Sequence, residues 1–403
     1  MKPEAGTTRP AGLRSIPKGV WVLGLVSMLM DISSEMIHSI LPLFMVASLG
    51  MSALAVGVIE GMAEALALVM RVFSGVLSDW IGKRKGLTVL GYALGAFSKP
   101  FFALTTQGWV VLGARLVDRV GKGIRGAPRD ALIADIAPPR LRGASFGLRQ
   151  SLDTLGAFLG PLIATVLMLL FADDFRMVFW VAFVPAVLCV VLLVVGLKEP
   201  EGRPVAKRSN PIRRENLQRL GSAYWWLVAI GAAFSLARFS EAFLVLKAHH
   251  NGVPLSLVPL VIVAMNLVYT LCAYPFGKLS DRFDHRRLLM LSLAVLFCAD
   301  MLLSIDGHWR TLLGGVVLWG VHMGMSQGLL ATMIAVVAPA DLRGTAYGFF
   351  NLVGGIALLV ASVIAGGLWE ACGPTCTFYA GAGFCILTIG FLFIMPSGTH
   401  TRA

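Results

Sequence analysis

Long apolar runs alternate with short polar or basic connections from residue 19 to residue 396. A bilayer core of about 30 Å takes roughly 20 helical residues to cross. Runs of that order predict helices at 19–46, 54–77, 86–105, 109–134, 144–170, 176–197, 222–247, 255–277, 287–305, 310–337, 344–370 and 375–396. One connection is longer: 198–221, KEPEGRPVAKRSNPIRRENLQRLG, is polar, basic and proline-bearing. The predicted division is a tail at 1–18, a six-helix bundle at 19–197, a linker at 198–221, a second six-helix bundle at 222–396 and a tail at 397–403.

Composition agrees with an all-α polytopic membrane protein. Apolar residues make up 57% and charged residues 14%, against about 25% charged in an ordinary globular chain. The mean hydropathy is +0.79. Soluble, disordered, coiled-coil, collagen-like and disulfide-scaffold classes are excluded together. The first apolar run is too long for a signal-peptide core and lacks a small-residue cleavage site, so it is expected to remain a membrane helix. Cys372 and Cys376 fall near one predicted outer loop, which leaves a disulfide open there. No residues pattern as a metal site, and no cofactor is implied.

The net charge of +12 is an orientation signal rather than a nucleic-acid footprint. Lys2, Arg9, Arg14, Lys18, Lys83, Arg84 and Lys85 fall on one side. So do Lys122, Arg125, Arg129, Arg140, Arg142, the linker cations, Lys278, Arg282, Arg286 and Arg287. The opposite loops hold almost none. Both tails and the linker are therefore expected in the cytoplasm, in an inner membrane.

The halves repeat. Gly75-Val-Leu-Ser-Asp79 through Arg84 matches Gly277-Lys-Leu-Ser-Asp281 through Arg286, and Ala137 through Arg142-Gly143 matches Ala338 through Arg343-Gly344. The offsets, Asp79 to Asp281 and Arg142 to Arg343, are 202 and 201 residues. Paired six-helix repeats are the build of secondary transporters, with a site between the halves near the midplane.

Gly121-Lys-Gly123-Ile-Arg-Gly126 matches a dinucleotide-binding expression but lies in an apolar helix without a preceding strand. Glycines that let helices approach closely are the better account.

Ionisable residues inside the spans carry the functional information. Asp31, Glu35 and His38 share a face of helix 1, and Glu60, Glu64 and Arg71 lie near one stripe of helix 2. Arg115 lies on helix 4, Arg149 and Asp153 on helix 5, Arg238 and Glu241 on helix 7, and His322 on helix 10. Each charge at the bilayer centre costs about 2.5–3.5 kcal/mol. Most must therefore face protein or a wet cavity and pair. Arg149 with Asp153, and Arg238 with Glu241, have the spacing of helix ion pairs. The acids of helices 1 and 2 outnumber Arg71, so one or more of Asp31, Glu35, Glu60 and Glu64 is expected to carry a proton. Arg71, Arg115, Arg149, Arg238, Glu241 and His322 are the candidate cavity residues, although a lone helical histidine is more often a hydrogen-bonded contact.

At these motifs the chain resembles the major facilitator superfamily, in its multidrug-exporter-like branch. The 75–85 segment is similar to the family's loop 2–3 signature, and Arg115 with Gly121 and Gly123 to its helix-4 motif. Gly156-Ala-Phe-Leu-Gly160-Pro161 is similar to a helix-5 signature associated with exporters. The resemblance implies that Gly75, Asp79, Arg84, Arg142, Asp281, Arg286 and Arg343 latch the cytoplasmic side. It also implies a non-enzymatic transporter that works as a monomer on a small organic solute, with protons and membrane lipid as its other partners. Proton-driven efflux is the leading expectation. Uptake of an anionic or zwitterionic solute, such as a carboxylate or siderophore, is the alternative, and a non-transporting receptor or assembly factor is a third.

Overall fold

The computed structural model describes residues 15–81, 84–198, 219–280, 283–326, 328–339 and 342–395. The predicted linker, both tails and Asp281 lie almost wholly or wholly outside these, and of Asp79 only the backbone is described. The N-terminal half comprises α1 (Lys18–Ser48), α2 (Ala53–Ile81), α3 (Arg84–Leu104), α4 (Gly108–Ile136), α5 (Arg142–Leu170) and α6 (Phe175–Gly196). The C-terminal half comprises α7 (Ser222–His250), α8 (Leu255–Ser280), α9 (His285–Leu303), α10 (Trp309–Val337), α11 (Arg343–Cys372) and α12 (Pro374–Ile394). Among the described residues 10 of these are apolar enough to cross a membrane by composition. The exceptions are α4, dense in charge, and α9, which holds Arg286, Arg287 and Asp300. Phe97, Leu104, Val184, Val191, Leu271 and Ile386 lie exposed on the outer surface, as lipid-facing side chains do.

Three predicted spans are interrupted. The regular part of α1 ends at His38, and the chain resumes through Leu41–Leu43 into a π-helical turn at Phe44–Ser48. Pro42 supplies no N–H to a continuous ladder. α7 breaks between Ala237 and Ala242, where Arg238 takes φ −114°, ψ 73°. α10 divides into Trp309–Ser326 and Leu329–Val337. Hydropathy does not register such breaks, because the few polar residues at them, such as Ser39, Arg238, Ser240, Glu241 and Ser326, are averaged into long apolar runs.

We call the end where α1 begins and α12 finishes the near end. There the duplicated loops perform a shared task. Lys85 at the start of α3 donates to the carbonyl of Val194 at the end of α6 (3.0 Å). Arg286 at the start of α9 donates to the carbonyls of Phe393 (3.1 Å) and Met395 (3.3 Å) at the end of α12. A cation at a helix C-terminus satisfies orphan carbonyls and the helix dipole.

The helix-5 motif sets the seam between α1 and α5. A Cβ on Gly156 would lie 2.7 Å from the Met28 carbonyl oxygen and 3.0 Å from the Cβ of Asp31. A Cβ on Gly160 would lie 2.7 Å from the Cβ of Glu35 and 2.9 Å from the Ile32 carbonyl oxygen. The two glycines therefore admit the α1 backbone and the roots of its two acids. Gly160→Val is expected to destabilise the protein by about 1–3 kcal/mol through overpacking, read as a lowered melting temperature in detergent. An unchanged melting temperature would contradict the seam.

Candidate functional site

Pro161 completes that motif in a different way. Having no N–H, it leaves the Ala157 carbonyl without its helical donor. Asn266 of α8, in the other half, donates its Nδ2 to that carbonyl at 3.3 Å. The seam that seats Asp31 and Glu35 is thus also a point where the halves meet.

Inside the N-terminal half, α2, α3 and α4 enclose a buried ion network. Arg115 donates to Glu60 at 2.6 Å, and both side chains are at most 2% exposed. Asp118 lies between Lys99 (2.8 Å), Arg119 (3.3 Å) and Arg115 (3.9 Å). Arg119 reaches Glu64 at 3.1 Å, and Lys99 also donates to Ser34 on α1 (3.1 Å). Glycines make this proximity feasible. A Cβ on Gly121 would lie 2.5 Å from the Gly91 carbonyl oxygen on α3, and one on Gly123 would lie 2.8 Å from the Ala67 carbonyl oxygen on α2. Close helix approach is therefore what the glycine-rich stretch of α4 provides.

A second network occupies the near side of the same half. Arg125 lies 3.8 Å from Asp31 and 4.7 Å above the Tyr92 ring. Arg129 donates to Ser27 (2.6 Å) and lies 3.9 Å from Asp153, which pairs with Arg149 at 3.1 Å. Asp130 is shared by Arg129 (3.2 Å), Arg149 (3.4 Å) and Arg71 (3.8 Å). Lys122, Arg125 and Arg129, counted among the orienting cations, all lie within α4, as the predicted span 109–134 has them. The network corrects the cation count. The acids of α1 and α2 are met chiefly by Arg115, Arg119 and Arg125, while Arg71 faces Asp130.

These contacts sort the four acids. Glu60 is fully buried against Arg115, Glu64 is held by Arg119, and Asp31 lies by Arg125. Glu35 makes no salt bridge among the described residues; its electrostatic neighbours include Lys122, Arg119 and, across from α7, Glu241. Lys122 is exposed although it sits midway along α4. Glu241 is 26% exposed and pairs at 3.6 Å with Arg238, itself 33% exposed. Their i,i+3 spacing acts across the break in α7 rather than along a helical turn. Glu35, Glu64, Lys122, Arg238 and Glu241 thus form an accessible polar wall contributed by both halves. His322 lies elsewhere: fully buried, its Nδ1 meets the Ser292 carbonyl at 2.8 Å and its ring packs on Phe234.

The halves close together at the far end. A Cβ on Gly57 would lie 2.2 Å from the Ser362 carbonyl oxygen and 3.3 Å from the Phe243 ring. A Cβ on Gly366 would lie 2.6 Å from the Ala53 carbonyl oxygen. Val46, Ser52, Leu246, His250, Trp369 and Glu370 border a remaining cleft of about 380 Å³. Lys247, buried in α7, forms an ion pair with Asp306 in the loop between α9 and α10, and this hydrogen bond holds the Asp306 carboxyl below its usual range. Cys372 and Cys376 meet at the turn from α11 to α12. α2 and α11 also touch toward the near end, where a Cβ on Gly348 would lie 3.1 Å from Val72 Cγ1. There Arg84 forms an ion pair with Asp135, within its own half, and Arg142 and Arg343 are exposed. Gly75 faces α4, with the Ala127 Cβ 3.5 Å from where its own Cβ would lie.

Sequence reasoning left Lys99, Asp118, Arg119, Arg125 and Asp300 out of the candidate site. All five carry the same signal as the residues it kept, an ionisable side chain inside a predicted span.

Comparison with known proteins agrees with this architecture. The Major Facilitator Superfamily profile matches residues 23–247 and 225–402. An uncharacterized MFS-type transporter of Methanocaldococcus jannaschii is 31% identical over 385 residues, covering 93% of this chain and 94% of that protein. Multidrug resistance protein MdtH of Photorhabdus laumondii is 26% identical, covering 87% of this chain and 86% of that protein. Among solved structures, a POT family transporter in complex with 5-aminolevulinic acid superposes with a TM-score of 0.79 at 13% identity, covering 95% of this chain and 96% of that one. Nucleoside transporter NupG gives 0.70 at 14%, covering 93% and 98%.

Proposed function

Because the chain belongs to the major facilitator superfamily and is a transporter of that fold, we propose that it exports a cationic or amphiphilic organic solute in exchange for protons. Transport itself follows from the family, which sets aside the receptor and assembly-factor readings. The observation that carries the finer proposal is Glu35. It is an acid on the cavity wall with no salt bridge among the described residues, seated in a glycine-made slot and facing Glu241 of the other half. An acid so placed can hold either a proton or a cationic solute, and that competition is the essence of antiport. The likeness to a protein named for multidrug resistance supports the same direction.

In this scheme Asp31, Glu64 and Glu241 flank the coupling acid, while Glu60, Arg115 and Arg119 keep the wall rigid. The near end is cytoplasmic, in the cell's inner membrane, and the duplicated loops, with Asp79, Asp281, Arg84, Arg286, Arg142 and Arg343, stabilise its closed form. The protein works as a monomer. A second reading, uptake of an anion, draws on the accessible cations Arg71, Lys122 and Arg238.

The readings separate in proteoliposomes without a pH gradient, using a panel of organic cations and carboxylates. The antiporter should accelerate downhill movement of at least one cation by tenfold or more over protein-free vesicles and leave carboxylates at background. Acceleration of carboxylates alone would favour the anion reading.

A further inference from the structure

Asp300 lies one turn from the far end of α9, fully buried, and among the described residues neither carboxyl oxygen has a hydrogen-bond partner. A carboxylate without a donor inside a membrane protein is too costly to persist, so this group is held as a neutral acid. Room for it has been made. A Cβ on Gly381 of α12 would lie 2.6 Å from Asp300 Oδ2 and 2.9 Å from the edge of the Phe239 ring. Phe239 belongs to the break in α7 and is 3% exposed. Its ring packs against Trp319 (5.4 Å), Phe243 (5.6 Å) and Phe378 (5.7 Å). Trp319 Nε1 is also buried without a partner.

Titratable and charged groups on the surrounding elements are otherwise engaged or neutral. Cys385 on α12 is the titratable neighbour that senses Asp300, and it is a buried thiol. On α7, Arg238 pairs with Glu241, and Lys247 with Asp306. On α10, His322 is bonded to Ser292. On α9 itself, Arg286 caps α12 at the opposite end.

The lid over Asp300 is connected to the contact between halves. Phe243 stacks on Phe239 and also meets the space beside Gly57 of α2, where the far end is closed. Separating the halves there exposes the outer face of Phe243, one of the three rings packed on Phe239. We infer that Asp300 is a protonation site of the C-terminal half that exchanges protons only with the far side, and whose ionisation favours opening of that end. The sealed form binds only the neutral acid, whereas the opened form admits water and the carboxylate. Closure is therefore fully stabilised at low pH and loses stability as pH rises, because deprotonated Asp300 has no place in the closed form. The site is separate from the coupling acids of the N-terminal half and does not depend on which solute is carried.

The test uses the full chain in lipid nanodiscs, with nitroxides on encoded ketone side chains at Gln107 and His308 in two far-end loops. Cys385 then stays native. Pulsed dipolar distances should show the long-distance population rising several-fold between pH 5 and pH 9. In Asp300→Asn most of that rise should vanish, leaving the population near its low-pH value. A pH response in Asp300→Asn that superposes on the unsubstituted protein would overturn the inference. Should Asp300→Asn not fold, the decision falls to a hydrophobic carbodiimide, which modifies protonated carboxyls. Phe239→Ala should raise modification of Asp300, located by mass spectrometry, several-fold at pH 6. Equal modification with and without the Phe239 ring would likewise overturn it.

Discussion

Arg115→Leu is expected to lower stability by about 3–5 kcal/mol, the cost of leaving a buried charge without its partner. Glu60 would lose its guanidinium: its side chain is fully buried, one oxygen accepts from Arg115 at 2.6 Å and otherwise has only His38 Nε2 at 4.0 Å, and the other oxygen has no partner among the described residues. Against a net stability of about 5–15 kcal/mol, the loss should appear as little folded protein and a sharply lowered melting temperature. Glu60→Leu added to Arg115→Leu should recover much of it, because removing both charges also removes the desolvation cost. The check is a double-substitution cycle of melting temperatures in detergent. Additive losses would mean that the pair is not a unit. A stable Arg115→Leu protein that fails only in transport would move Arg115 from the scaffold to the solute site.

Glu35→Gln is expected to have the opposite profile. Glu35 makes no salt bridge among the described residues, so the amide strands no partner there, and the melting temperature should stay close to that of the unsubstituted protein. The amide keeps the shape of the protonated acid but has no proton to release. Solute concentration driven by a pH gradient should fall to background, while downhill exchange of labelled for unlabelled solute continues. Both are measured on one reconstituted sample. Normal gradient-driven transport by a stable Glu35→Gln protein would transfer the coupling role to Asp31, Glu64 or Glu241.

The contrast between these residues marks the limit of what the sequence conveys. Helix number and the duplicated loops were legible because a helix must keep about 20 apolar residues in lipid, and because two offsets agreed. Gly156 and Gly160 were legible as a motif resembling an exporter signature, but not as the slots that make room for Asp31 and Glu35, which depend on the rotation of α1 against α5. Pairing was the least legible. Arg115, Arg119 and Arg125 meet acids on α1 and α2, and no spacing within one helix reports contacts between helices. The breaks in α1, α7 and α10 stayed hidden because hydropathy over a whole span averages away the few polar residues at a break. Asp300 needed both steps: recognising an acid inside a span, and seeing that the fold supplies it with a glycine slot and an aromatic lid but no donor.

Obligatory exchange of protons for solute is the central claim, and internal pH reports it most directly. Proteoliposomes holding a pH-sensitive dye and preloaded with a transported organic cation are diluted into cation-free buffer at equal pH, with the membrane potential clamped. The account predicts that the outward cation gradient drives protons inward, so the interior acidifies at a rate that rises with the gradient and vanishes with Glu35→Gln. Cation efflux at full rate with no change of internal pH, or with alkalinisation, would contradict it.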